Sequence, residues 1–215
     1  MPRIVLVHGG CHGAWCWDRL LPLLDDAVAV ELPERGDGGA AIIAVLDRPS
    51  VLVGHSLGGM AISAAAELAP DRIVRLAYLS ALLPIDGESA ASIALPPLDA
   101  EAATVIEGEW CRLDPVLATP ILYQDCEPGE RAFALDRIGP THLSRITASA
   151  ALSADRFGAV PKTYIHCLAD RAIQLDAQRA MTRRYDGIDT LSLPTGHSPF
   201  LSQPQLLART LAALA

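Results

Sequence analysis

One hydroxyl sits between glycines in Gly54-His55-Ser56-Leu57-Gly58, directly after the apolar run Val51-Leu52-Val53 and before a small-residue segment of helical pattern. That setting suits a nucleophile. A G-x-S-x-G pentapeptide on a sharp strand-to-helix turn holds its serine proud of a sheet, at the positive end of the following helix. Glycines two residues to either side leave room for the turn and for close helix–strand packing. A nucleophilic serine also needs a base, and the base an orienting acid, in the chain order Ser, Asp or Glu, His. His197, in Pro194-Thr195-Gly196-His197-Ser198-Pro199-Phe200, and Asp170, in Leu168-Ala169-Asp170-Arg171, each follow a strand-like run. All three side chains would then emerge at the carboxyl edge of one sheet. Asp176 and Asp86 rival Asp170 for the acid; strand-end position favours Asp170.

Acyl chemistry further needs two backbone N–H groups aimed at the developing oxyanion. Leu57, the residue after the serine, supplies one. The turn after the first strand, His8-Gly9-Gly10, supplies the other, with Gly10 as donor, His8 and Gly9 shaping the loop and His12 on the pocket floor. His55, His142 and His166 read as packed or exposed rather than catalytic.

Other chemistries fit less well. A phosphate-cradling loop needs a lysine where Met60 stands. The first turn imitates a dinucleotide site, with Glu31 after the next strand, but its glycines at 9, 10 and 13 miss the required offsets. His8, Cys11 and His12 lie close together without a fourth ligand at regular spacing, so no metal is expected. No cofactor is expected either. Five cysteines without a Cys-x-x-Cys pair suggest neither a disulfide framework nor a zinc ribbon.

The elements that must position these residues alternate in type. Strands are expected at Arg3–Val7, Ala27–Leu32, Ser50–Val53, Ile73–Leu79, Lys162–Cys167 and Thr190–Leu193. Helices are expected at Ala14–Leu24, Gly39–Leu46, Gly58–Leu68, Leu175–Arg184 and Gln203–Leu214. Near-continuous apolar strands separated by helices are what a parallel sheet covered on both faces requires. The fold class is therefore α/β, doubly wound and mainly parallel, with residues 1–83 and 159–215 as the core. Residues 84–158, rich in Pro, Gly and acidic residues with helical patches at 101–107 and 140–150, form a small helical cap or lid inserted into it.

At 215 residues the chain suits one core. A net charge of −8 argues against nucleic acid as a partner. No apolar run approaches the roughly 20 residues that span a bilayer, and the N-terminus lacks a signal-peptide core, so the expected setting is cytoplasmic, without membrane partners. A homodimer is allowed for.

Four stretches, VLVHGGCHGAWCW at 5–17, VGHSLGG at 53–59, CLADRAI at 167–173 and GHSPFLSQP at 196–204, resemble the α/β-hydrolase superfamily. The match is to its compact branch of plant methyl-ester esterases, hydroxynitrile lyases and bacterial relatives. Together with RFGAVPKTYI at 156–165 they span nearly the whole chain. The resemblance implies Ser56, Asp170 and His197 as a triad, Gly10 and Leu57 as oxyanion donors, and the insertion as a cap over the pocket. Lyases of this branch carry a threonine, a lysine and an acidic residue where this chain has Gly10, Ser198 and His55. Those departures favour a serine carboxylesterase acting on small, partly apolar esters, with Ser198 beside the base at the pocket. Cyanohydrin cleavage and non-catalytic binding of a small molecule are the alternatives. The shortened segment between Leu32 and Ser50 bears on pocket size.

Overall fold

The computed structural model describes residues 2–93 and 103–215. Its centre is β3 (Ser50–His55), buried at every position. β-branched and leucine side chains alternate on such a strand, so one strand feeds two cores. Val51 and Val53 pack on one face with Ile4, Leu6, Trp17 and Phe200, and Leu52 packs on the other with Val5, Val7, Leu76 and Tyr78. A fully buried leucine such as Leu52 is worth about 2–5 kcal/mol against alanine.

Six strands form the sheet in the order β2 (Ala27–Val30), β1 (Arg3–Val7), β3, β4 (Ile73–Leu79), β8 (Lys162–Cys167), β9 (Asp189–Leu193). Every neighbouring pair is parallel. The chain runs from β1 outward to β2 in one direction, and from β3 through β9 in the other. The crevice at that reversal, between the carboxyl ends of β1 and β3, is where open α/β sheets bind ligands. Helices α1 (Gly39–Ala44), α2 (Gly58–Leu68), α6 (Leu175–Thr182), α7 (Pro199–Ser202) and α8 (Pro204–Ala212) cover the faces.

Between β4 and β8 the chain builds a second layer. β5 (Thr104–Glu107), β6 (Trp110–Leu113) and β7 (Thr141–His142) form a small antiparallel sheet, accompanied by α3 (Pro115–Leu122), α4 (Pro128–Leu135) and α5 (Ser144–Thr147). Asp114 caps α3, its carboxylate accepting from the N–H groups of Val116 and Leu117 at 2.8 and 3.1 Å.

Local departures from the sequence expectations have identifiable causes. The helical patch at 101–107 is a strand from Thr104 onward, and Glu101 and Ala102 lie outside the described residues. The β-branched Thr104-Val105-Ile106 pairs with β6, and Gly108, at φ 61°, turns the hairpin. The patch at 140–150 divides into β7 and the single turn α5. The helix expected over Ala14–Leu24 is two short 3₁₀ turns, Ala14–Trp17 and Leu21–Leu23, because Pro22 lacks the N–H a continuous helix would use.

Candidate active site

Strand register brings the first turn against the serine. Val7 of β1 pairs with Gly54 of β3. Two residues further along each strand lie Gly9 and Ser56, and a Cβ placed on Gly9 would come within 2.8 Å of the Ser56 Cβ. No side chain fits at position 9 unless the serine moves. Similarly, a Cβ on Gly58 would meet the His8 carbonyl oxygen at 2.6 Å, so that glycine lets the first turn of α2 close onto β1. Ser56 itself adopts φ 53°, a left-handed conformation that costs a non-glycine residue on the order of 1 kcal/mol or more. It is pinned there by N–H groups of Gly59 and Leu82, which donate to its carbonyl at 3.1 and 3.0 Å. Cys11 (φ 58°) and Ser80 (φ 38°) are the other non-glycine residues at positive φ among the described residues, and both adjoin this site.

Asp170 and His197 come from the ends of β8 and β9, whose register pairs Cys167 with Leu193. His197 Nδ1–H donates to Asp170 Oδ2 at 2.7 Å, and both side chains are buried. The carboxylate is saturated. Oδ1 accepts from the N–H groups of Ala172 and Ile173 at 2.6 and 2.9 Å, and Oδ2 also accepts from the Ser80 hydroxyl. With Nδ1 committed as donor, the imidazole turns Nε2 away from the carboxylate. Of the two rivals, Asp86 accepts from the Leu152 N–H and Asp176 lies on α6 with a largely exposed side chain.

Ser56 and His197 line one cavity of about 150 Å³, together with Gly10, Leu57 and His12. Leu82, Leu113, Leu122, Ala172 and Ile173 give it an apolar wall. Gly10 and Leu57 meet directly, a Cβ on Gly10 falling 3.3 Å from the Leu57 side chain. Among the described residues neither backbone N–H has an intramolecular acceptor. Ser198 does not line this cavity. It is fully buried at the start of α7, and its hydroxyl has no hydrogen-bond partner among the described residues.

The sequence pattern of the Alpha/beta hydrolase family matches residues 4–210. The chain belongs to that family. Methylesterase 1 of Arabidopsis thaliana is 30% identical to this hydrolase over 245 residues, spanning 96% of this chain and 93% of the relative. A pyrethroid hydrolase of Sphingobium wenxiniae is 28% identical over 248 residues, spanning 99% and 87%. The crystal structure of a pyrethroid hydrolase from Sphingobium faniae superposes with a TM-score of 0.87 at 27% identity, covering 99% of this chain and 96% of that one.

The remaining histidines of this hydrolase are buried or hydrogen-bonded rather than free. His12 donates from Nδ1 to the Gly10 carbonyl at 2.8 Å and accepts the Tyr123 hydroxyl at Nε2, also at 2.8 Å. Burial lowers its pKa to about 4, and burial raises that of Tyr123. Both shifts keep the neutral imidazole as acceptor and the phenol as donor. His8 donates to the Gly9 carbonyl and accepts the Leu32 N–H, so the His8/Cys11/His12 group is engaged in hydrogen bonding around the turn. His55 is fully buried, and burial holds its pKa well below the ordinary value. His142, also buried, bonds to Ser144, and His166 is lowered by burial.

Several positioning groups carry no sequence signal. The inserted layer holds the first turn from above: the Cys11 N–H donates to the Thr141 hydroxyl at 2.6 Å, and its carbonyl accepts from the Gly139 N–H at 3.0 Å. Asp125 accepts the Gly196 N–H at 2.7 Å, and the Gln124 amide donates to the Ala169 carbonyl at 2.8 Å, fixing the loops that carry His197 and Asp170.

Proposed function

We propose that this hydrolase is a serine carboxylesterase acting on small, partly apolar esters. The observation that carries the reading is the Asp170–His197 hydrogen bond at 2.7 Å opening into the cavity that Ser56 lines. His197 takes the Ser56 proton at Nε2 as the hydroxyl attacks the ester carbonyl. Asp170 holds the ring and stabilises its cationic form. The oxyanion lies against the N–H groups of Gly10 and Leu57, at the amino end of α2. The alcohol leaves with the proton from His197, and water, activated by the same nitrogen, hydrolyses the acyl-serine. No step requires a cofactor.

The apolar wall and the cavity of about 150 Å³ favour a short acyl or alcohol group. Residues 84–158 act as the cap on a core of 1–83 and 159–215: Leu113 and Leu122 of the insertion contribute to the wall, and Thr141 holds the oxyanion turn. Five free, buried cysteines support a reducing, cytoplasmic setting, and among the described residues no helix is long and apolar enough to cross a membrane. Ser198, buried where the lyases carry lysine, leaves cyanohydrin cleavage without its cation.

An active-site label tests the reading. A fluorophosphonate should modify one residue, Ser56, by mass spectrometry of the digested protein, and the label should be lost after His197→Ala. Labelling elsewhere, or undiminished in that variant, would sink it.

A further inference from the structure

A second cavity, of about 180 Å³, shares Leu57 with the catalytic one. Leu57, Met60, Ala61 and Ala64 of the α2 region form its floor, and Arg145, on α5 of the insertion, lines it. Arg145 is 9% exposed, yet it makes no hydrogen bond or ion pair among the described residues. That is an unusual state. Its guanidinium nitrogens are not sealed from solvent, and a charge with so little exposure gains from a fixed acceptor in place of water.

The acids nearby do not supply them. Glu31 and Cys11 favour the cation only from a distance, and burial still holds the guanidinium below its ordinary pKa. Glu31 is engaged with the Ala14 N–H. Glu67, on the cavity wall, accepts from the Ser153 N–H and hydroxyl and from the Phe157 N–H. Asp37, at the exposed rim, accepts the Gly39 N–H. Arg145 thus brings an unpaired planar cationic fork to the lining of a largely apolar hollow, which matches a carboxylate on a short hydrocarbon body. Asp37 and Glu67 beside the hollow disfavour a multiply charged anion such as phosphate.

We propose that this cavity is a carboxylate site, in which Arg145 binds the acid group of a small aliphatic anion next to the catalytic cavity. The anion is either the remote carboxylate of an ester substrate or a free acid of the kind ester hydrolysis releases. The choice between these sources rests on the esterase reading; the site itself does not.

The test is calorimetric titration of the full-length Ser56→Ala protein, which cannot turn over, with monomethyl adipate, hexanoate and dimethyl adipate. The better-bound of the two acids should exceed the neutral diester in affinity by about tenfold or more, the step a charge-assisted bidentate bond gives. That preference should vanish in Ser56→Ala/Arg145→Met and persist in part with Arg145→Lys. A half-ester that outbinds hexanoate marks the remote carboxylate of a substrate, and the reverse marks a free acid; both support the site. Equal binding of acids and diester, or acid binding untouched by Arg145→Met, overturns it. If the methionine variant does not fold, the acid-against-diester comparison and the lysine variant decide. Because binding is read on an inactive protein, absence of ester hydrolysis by the wild type would count against the esterase reading alone.

Discussion

His55, the residue before Ser56, donates its Nε2–H to the backbone carbonyl of His197 at 2.8 Å, with the two rings 4.5 Å apart. The residue preceding the proposed nucleophile therefore fixes the loop that carries the proposed base. His55 does not line the cavity, so it is a positioning residue. His55→Ala should lower kcat by about 10–100-fold with KM little changed, the scale expected when a catalytic group shifts by about 1 Å. His55→Asn, which keeps a donor, should recover part of the loss. A change confined to KM would contradict this role.

Ser80 gives the second example. Its hydroxyl donates to Asp170 Oδ2 from a left-handed backbone position at the end of β4. Ser80→Ala removes one of the four donors to a buried carboxylate, which should cost about 1–3 kcal/mol of stability by denaturant titration and lower kcat. An unchanged midpoint and unchanged turnover would show that the remaining donors suffice.

Gly9→Ala tests the close approach of the first turn. The added methyl would fall 2.8 Å from the Ser56 Cβ, so the turn or the serine must move. The expected cost is about 1–3 kcal/mol of stability, with a larger proportional loss in kcat/KM than in folding. Wild-type kinetics in this variant would show that the turn has slack.

Acid sensitivity should trace partly to His12. Its folded pKa, about 4, lies below the ordinary 6.5, so the unfolded chain binds the proton more readily. Stability from this group is present above pH 6.5 and is lost as pH falls toward 4, since the unfolded state takes up more protons in that window. The total is on the order of 3 kcal/mol. In His12→Asn, whose side chain does not titrate, unfolding free energy should fall less steeply between those limits. Identical slopes would mean that His55, depressed in the same direction, dominates.

Much of this was legible in the sequence because periodicity and strand-end position are local. The six core strands follow from apolar runs bounded by turns; Ser56 stands directly after one, and Asp170 and His197 stand in the loops just beyond the ends of two others. The supporting contacts are not local. Ser80 reaches Asp170 across 90 residues, and Thr141 reaches Cys11 across 130, so only the folded sheet brings them together. The hairpin at Thr104–Leu113 is not legible for a different reason. Short segments of mixed pattern satisfy a helical period as readily as a strand, and here pairing with β6 decides the outcome. Ser198 shows the limit of adjacency: a neighbour of His197 in sequence, it faces inward where the loop enters α7.

The central claim is that Ser56 is an activated nucleophile. Hydrolysis of p-nitrophenyl acetate by wild type and Ser56→Ala, with circular dichroism to check folding, tests it most directly. Turnover well above the buffer rate is expected in the wild type, with loss to background in the variant. Ser56→Ala protein that folds normally and still turns over the ester at the wild-type rate would contradict it.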